Sequence, residues 1–310
     1  MSKKIVFFGT PEFAVPSLDA LVSEGFNIAA VVTATDKPAG RGHAMTPSAV
    51  KKYALDHDIP VLQPEKLRDP EFIKALRDIN ADLFVVIAFR MMPEVVWAMP
   101  PLGTFNLHAS LLPKYRGAAP INWAVINGDT ETGVTTFFLS HDIDTGDIID
   151  REPAPIYPSD CVGDVHDRLM ALGAKLTVNT VRKIFDGTVE RHPQSEIVGS
   201  IEPTPAPKIF KETCMIDWNQ PAEKIHNLIR GLSPYPAAWS SMSLAGESPK
   251  TYKIFTSEVT DIPSSGQPGT VTIDSGRILV DTATSRLALL ALQAPGKRRM
   301  DAPELLRGLR

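Results

Sequence analysis

Three short apolar runs constrain this chain more than any other feature. Lys4–Gly9, Asn27–Thr33 and Asp82–Ala88 are almost free of polar residues in their interiors, and each is too short for a buried helix. Runs of this length bounded by turn residues read as strands covered on both faces, the pattern of a parallel sheet. The stretch between the first two has helical spacing. Pro11 fits a first turn with Thr10 as N-cap, Leu18, Leu21 and Val22 continue the apolar face, and Gly25 ends it. A β-α-β opening of this kind predicts an α/β fold with a Rossmann-like parallel sheet.

Further elements follow in the same style. Helices are expected at Pro47–Asp56, with Thr46 as cap, and at Pro70–Ile79, Pro93–Ala98 and from Pro120 to Ile126. A long amphipathic helix is expected from Cys161 to Phe185, capped by Asp160. Strands are expected at Pro60–Leu62, Val134–Leu139 and Ile148–Tyr157. The segment Thr35–Met45 holds two glycines, a proline and Lys37, Arg41 and His43 without periodicity. It reads as an exposed loop that leaves Arg41 free to reach a partner. Residues 191–208 carry four prolines and read as a stiff linker. Beyond it come a helix at Pro221–Ile229, a proline-rich loop to Trp239, and short β-like runs at Tyr252–Phe255, Gly269–Ile273, Arg277–Asp281 and Arg286–Leu292. Short strands separated by Gly and Pro turns predict a small barrel. The expected division is a catalytic domain over 1–190, the linker over 191–208 and a small β domain over 209–310.

Charge follows that division. Residues 1–208 carry 20 Lys+Arg against 26 Asp+Glu, and residues 209–310 carry 12 against 10, so the second part is the more basic one. Lys297, Arg298 and Arg299 form its densest cluster. Alone it reads as a solvated turn, although such a cluster can meet phosphates. No run approaches the ~18 apolar residues that span a bilayer, and the first apolar run stops at Phe8, short of a signal-peptide core. Cys161 and Cys214 lie too far apart for zinc spacing or a disulfide framework, which fits a cytoplasmic protein. There is no G-x-G-x-x-G turn after the first strand, no P-loop, no H-E-x-x-H and no G-x-S-x-G. His141–Asp147 holds three aspartates, but its glycine falls one place early for a calcium loop and Pro153 stands where a bidentate Glu should be. No metal is expected. Asp144-Thr-Gly-Asp147 reads instead as a tight turn aiming a carboxylate.

The chemistry concentrates in Phe105–Pro120. Its first half reads as a strand, so Asn106 and His108 share one face. Carboxyl ends of strands in open α/β sheets are where ligands bind. An amide that can polarise a carbonyl beside an imidazole that can move a proton is a kit for acyl transfer, with Asp144 as the carboxylate partner. In such a reaction an amine attacks an acyl carbonyl directly, through a tetrahedral intermediate. Asp144 then either orients the ring and stabilises imidazolium or relays a proton through water.

Asn106-Leu-His-Ala-Ser-Leu-Leu-Pro113 with Tyr115-Arg-Gly-Ala-Ala-Pro120 resembles the active-site segment of the folate-dependent formyltransferases. Phe8-Gly-Thr-Pro-Glu-Phe-Ala14, Lys37-Pro-Ala-Gly-Arg-Gly42, Asp144–Asp147 and the surroundings of Ile216–Trp218 and Tyr235-Pro236 extend the resemblance nearly end to end, towards the branch acting on methionyl-tRNA. The resemblance implies 10-formyltetrahydrofolate as co-substrate and the α-amine of methionyl-initiator tRNA as acceptor. It also implies Asn106, His108 and Asp144 as the catalytic trio and Ser110, Leu111, Leu112 and Pro113 as the folate-binding segment. Arg41 matches the loop residue engaging the tRNA acceptor end, and the second domain matches an OB-like β-barrel with basic surface, where Lys297, Arg298 and Arg299 lie. A monomer working without membrane association is expected. Arg90 departs from the family's usual glycine at that strand end and is carried as a further folate-pocket residue. The rivals are a formyltransferase for another amine, a formyl-folate hydrolase, and a non-catalytic binding module.

Overall fold

The computed structural model describes residues 2–39, 44–197 and 202–308. In chain order its elements begin with β1 (Lys4–Gly9), α1 (Val15–Ser23), β2 (Asn27–Val32), β3 (Lys37–Ala39), β4 (Ala44–Thr46), α2 (Ala49–Asp56) and β5 (Val61–Leu62). There follow α3 (Pro70–Ile79), β6 (Leu83–Ile87), α4 (Glu94–Trp97), β7 (Thr104–His108), β8 (Arg116–Gly117), α5 (Pro120–Ile126), β9 (Glu131–Phe138) and β10 (Ile148–Pro155). Then come α6 (Val162–Asp186), α7 (Gln194–Ile197), β11 (Pro205–Ala206), α8 (Ala222–Gly231) and β12 (Ala238–Met242). The last are β13 (Lys250–Pro263), β14 (Val271–Asp274), β15 (Arg277–Asp281), β16 (Ser285–Gln293), β17 (Met300–Asp301) and α9 (Ala302–Arg307). Among the described residues no helix is long and apolar enough to cross a membrane.

The chain packs as two compact units, and neither is contiguous in sequence. The first takes residues up to Gly117, Gly133–Ala154 and His166–Pro205. The second takes Ala118–Thr132, Pro155–Val165 and residues from Ala206 onward.

In the first unit a seven-stranded sheet runs in the order β10-β9-β7-β6-β1-β2-β5. β1 pairs in parallel with β2 and β6, β2 with β5, and β6 with β7, while β9 lies antiparallel to β7. The strand order reverses between β1 and β6, so the carboxyl ends of these strands form the switch point of the sheet. Every residue of β6 is buried. Val6, Phe8, Phe84 and Val86 pack on one face with Phe72, Leu76 and Val96, and the Phe8 and Phe84 ring centroids lie 5.1 Å apart. At the end of β1, a Cβ on Gly9 would lie 2.8 Å from the Phe7 ring and 2.9 Å from Ala14 Cβ, so only glycine lets the strand meet the following turn.

The helix entries differ from expectation in detail. Residues Glu12–Ala14 form a single 3-10 turn, and α1 starts only at Val15, with no side-chain cap from Thr10. Ser48, not Thr46, caps α2, its side chain accepting from Lys51 N–H. The Thr35–Met45 segment, expected as loop throughout, holds the antiparallel pair β3 and β4, joining Lys37 to Thr46 and Pro38 to Met45. Residues 191–197 are not free linker. His192 exchanges two backbone hydrogen bonds with Ile148 at 2.9 Å each, and the Arg191 guanidinium lies 4.0 Å from the Phe138 ring centroid.

The second unit is an OB-like antiparallel β domain, ordered β12-β13-β16-β15-β14, with β17 added on β16. Trp239, read as part of a loop, lies in β12 and pairs with Lys253. Ile225 and Ile229 of α8 pack with Tyr252, Ile254, Ile278, Val280, Leu287 and Leu289 in one core. Register shifts in β13 after Ile254 change which side chains face inward, and so Ser257 is buried. His226 of α8 meets it, with Nδ1 and Ser257 Oγ 3.0 Å apart. Burial, and then the charge of Arg230, hold the His226 pKa below its ordinary 6.5. The native state therefore resists a proton that the unfolded chain accepts. Its contribution is complete above the unfolded pKa and is lost as pH falls through the folded one. Denaturant titrations from about pH 7.5 to 5 should show His226→Gln losing less stability than the parent chain; equal slopes would remove His226 from the acid response.

Candidate active site

β7 delivers Asn106 and His108 to the sheet with the expected alternation. Asn106 stands opposite Val86 of β6 and Phe137 of β9, and His108 stands opposite Thr135. His108 is buried and Asn106 half-buried. Among the described residues none takes the Asn106 side-chain amide as a hydrogen-bond partner, so its two N–H groups remain available to a bound carbonyl oxygen.

His108 is held from two sides. Nε2 lies 2.8 Å from the Tyr115 carbonyl oxygen. A carbonyl only accepts, which assigns the proton of the neutral ring to Nε2 and leaves Nδ1 as the basic nitrogen. Nδ1 faces Asp144, 3.7 Å from Oδ2, with the two side chains 7% and 13% exposed. That is too long for a hydrogen bond and close enough for strong attraction once the ring is charged. The Asp144 carboxylate also accepts from Gly117 N–H at 2.9 Å. Asp144 sits at φ +55. Two residues further on, a Cβ at Gly146 would lie 1.7 Å from the Phe138 carbonyl oxygen, so the turn is tight for a steric reason.

The loop after β7 is anchored by Thr135, which the sequence did not single out, and by Ser110. Thr135 Oγ1 donates to Ser110 carbonyl at 2.6 Å and accepts from Leu112 N–H at 3.1 Å. Ser110 Oγ donates to Lys114 carbonyl at 2.6 Å and is fully buried. Leu112 packs on Phe137 and Ile148, Pro113 is buried, and Leu111 is half-buried. Of the expected folate segment, Leu111 borders an open cavity of about 450 Å³. A second, of about 380 Å³, is bordered by the residues on either side of Asp144, including Asp142, Thr145 and Gly146.

Arg90 is exposed, and its guanidinium donates to the carbonyls of Pro64 and Glu65 at 2.5 and 2.8 Å. It ties β6 to the segment after β5. Arg41 lies outside the described residues. Lys297, Arg298 and Arg299 are exposed in the turn before β17. Arg298 pairs with Glu304, and Arg299 lies over the Phe255 ring and donates to Thr256. Among the described residues no group of three acidic, histidine or cysteine side chains could hold a metal.

Residues 3–181 match the formyl transferase family, and residues 208–310 match the formyl transferase C-terminal domain. The chain belongs to the formyl transferase family. It is 56% identical over 306 residues to the methionyl-tRNA formyltransferase of Bacteroides fragilis, covering 98% of this chain and 94% of that one. It is 55% identical over 308 residues to that of Bacteroides thetaiotaomicron, with 99% and 96% covered. The corresponding protein of Porphyromonas gingivalis is 46% identical over 307 residues, with 98% and 95% covered. Among solved structures the fold is similar to WlaRD, a sugar 3N-formyl transferase, with a TM-score of 0.69 at 20% identity, covering 96% of this chain and all of that one. It is also similar to HypX from Aquifex aeolicus in complex with tetrahydrofolic acid, with a TM-score of 0.65 at 16% identity over 99% of this chain and 47% of that one.

Within this formyl transferase, Thr135→Val keeps the shape of residue 135 but leaves the Ser110 carbonyl and the Leu112 N–H buried without their partner. Urea unfolding should register a loss of about 1–3 kcal/mol; an unchanged midpoint would mean that the loop does not depend on Thr135.

Proposed function

We propose that the protein transfers the formyl group of 10-formyltetrahydrofolate to the α-amine of methionyl-initiator tRNA, the step that prepares the first amino acid for translation initiation. The observation that carries this reading is the unpartnered Asn106 amide beside the His108–Asp144 pair. It occurs in a chain about half identical, end to end, to methionyl-tRNA formyltransferases.

The donor set fits a formyl substrate. The Asn106 N–H groups are available to hold the formyl oxygen as it gains negative charge. The attacking amine must lose a proton, and His108 Nδ1 is the nitrogen of the ring able to take it. The ring then carries a positive charge, stabilised by Asp144 at 3.7 Å and by the Tyr115 carbonyl on Nε2. The spacing favours charge stabilisation by Asp144 over direct orientation of the ring, which the Tyr115 carbonyl supplies. Returning the proton to the departing nitrogen completes transfer without a covalent enzyme intermediate. Ser110–Pro113 contribute as a rigid backbone segment, Leu111 being its one partly open side chain. In this reading residues 1–190 carry the chemistry of a monomeric cytoplasmic enzyme. The OB-like domain over 209–310 adds tRNA surface through Lys297, Arg298 and Arg299, with Arg41 reaching the acceptor end.

The test is formyl transfer from 10-formyltetrahydrofolate to methionyl-initiator tRNA beside uncharged tRNA. Formyl-methionine on the charged tRNA alone supports the reading; folate turnover indifferent to charged tRNA favours hydrolysis or a smaller acceptor. Asn106→Ala should cut kcat by ~10²–10³ with folate affinity largely kept; parent-level turnover would strip Asn106 of its role. Replacing Lys297, Arg298 and Arg299 together by Gln should lower the salt slope of tRNA binding by about one for each phosphate no longer neutralised. An unchanged slope would place tRNA elsewhere.

A further inference from the structure

Gln194 is 3% exposed, and both ends of its amide are committed. Its Nε2 donates to the carbonyls of Asp144 and Gly146, each at 2.9 Å. Its Oε1 accepts from Arg116 at 3.2 Å through Nε and 2.7 Å through Nη2. The residue next to Arg116 is Gly117, whose N–H holds the Asp144 carboxylate at 2.9 Å. One side chain therefore fixes the backbone of Asp144 directly and, through Arg116, the neighbourhood of the N–H that fixes its carboxylate. The platform is itself anchored, since His192 is paired with Ile148 on β10 two residues before Gln194.

The consequence follows from the 3.7 Å gap between His108 and Asp144. No hydrogen bond spans that gap to hold the distance. The separation then depends on how the turn carrying Asp144 is seated and on the Gly117 N–H that holds its carboxylate, and at φ +55 Asp144 occupies a conformation that neighbours must enforce. We propose that Gln194 is a positioning residue for the formyl transfer, acting through Asp144: it seats the Asp144 turn against the loop that follows β7 and so sets the carboxylate's distance from the imidazole. This rests on the formyl transfer reading above. An amide suits the task because it offers two donors to two carbonyls and an acceptor to a guanidinium from one planar group. Neither a carboxylate nor an aliphatic side chain does both.

The test combines kinetics with hydrogen exchange on the full chain. Gln194→Ala should lower kcat by up to ~10²-fold, the scale of a displaced catalytic group, with the KM for formyl-folate within about twofold. In an Asp144→Ala background the same change should cost about twofold or less, because residues acting through one another are not additive. Gln194→Glu keeps the acceptor for Arg116 but sets a carboxylate against two carbonyls. It should reproduce the kcat loss, which covers the case in which the alanine variant fails to fold. Hydrogen exchange should quicken over residues 109–117 and 141–147 in both variants. Equal kcat losses with and without Asp144, or parent-level kcat, would overturn the proposal. Unchanged exchange in both segments would overturn it even if the parent chain moved no formyl group, an outcome that would separately discard the function itself.

Discussion

Burial of the central strands on both faces is the constraint from which the site follows. β6 has no exposed residue, and β7 admits polar side chains only where a partner or a ligand meets them. Buried polar groups need partners, and charged ones need them more. Along β7 the tolerated positions are Thr104, which donates to Trp97 carbonyl at 2.6 Å, Asn106, and His108 at the strand end. The first and last are satisfied within the protein. Asn106 differs: it is half-buried in the middle of the strand, and among the described residues its amide has no hydrogen-bond partner. In the function proposed above, that amide is the group that meets the formyl oxygen.

The same burial makes the imidazole a defined base. In water either nitrogen can carry the proton. Here Nε2–H donates to the Tyr115 carbonyl at 2.8 Å, and Tyr115 itself adopts φ +60. Its side chain is buried, so the conformation is held by packing. Asp144 is likewise held in the left-handed region, at φ +55. Two non-glycine residues in a conformation disfavoured for L side chains thus flank one histidine. The backbone strain is placed where it selects a tautomer and positions a counter-charge.

The placement of Asn106, His108 and Asp144 was legible in the sequence because its signal is local. Asn106 and His108 share a strand face by alternation, and Asp144 sits in a turn with the composition of one. The strands were legible for the same reason, since an apolar run buried on both faces leaves little ambiguity. The supports were not legible. Thr135 reads as an ordinary strand residue, and its pairing opposite His108 comes from β9 lying antiparallel to β7, which no local pattern states. Gln194 sits in a proline-rich stretch that composition marks as linker, and only the bridge between His192 and Ile148, two residues before it, and its own hydrogen bonds show that it is seated against the first unit. Arg90 shows the converse. A cation at a strand end near a suspected pocket invites a ligand role, and nothing in the sequence signals that its guanidinium also donates to the carbonyls of Pro64 and Glu65. β12 was missed because Pro234 and Pro236 dominate the composition just ahead of it.

The two units do not divide where the sequence does. By sequence the second domain begins near residue 208, but its packing begins earlier. Asn122 of α5 donates to Gly231 carbonyl at 2.8 Å, and a Cβ at Gly231 would lie 2.5 Å from an Ile126 side-chain carbon. Ile126 also packs on the core that α8 shares with β13. The chain leaves the first unit at Gly117, whose own N–H holds the Asp144 carboxylate. The segment that follows the loop after β7 is therefore built into the OB-like unit, and no single cut in the linker returns two intact cores. A chain so threaded gives the core of its second unit residues from α5, well ahead of the proline-rich stretch in sequence.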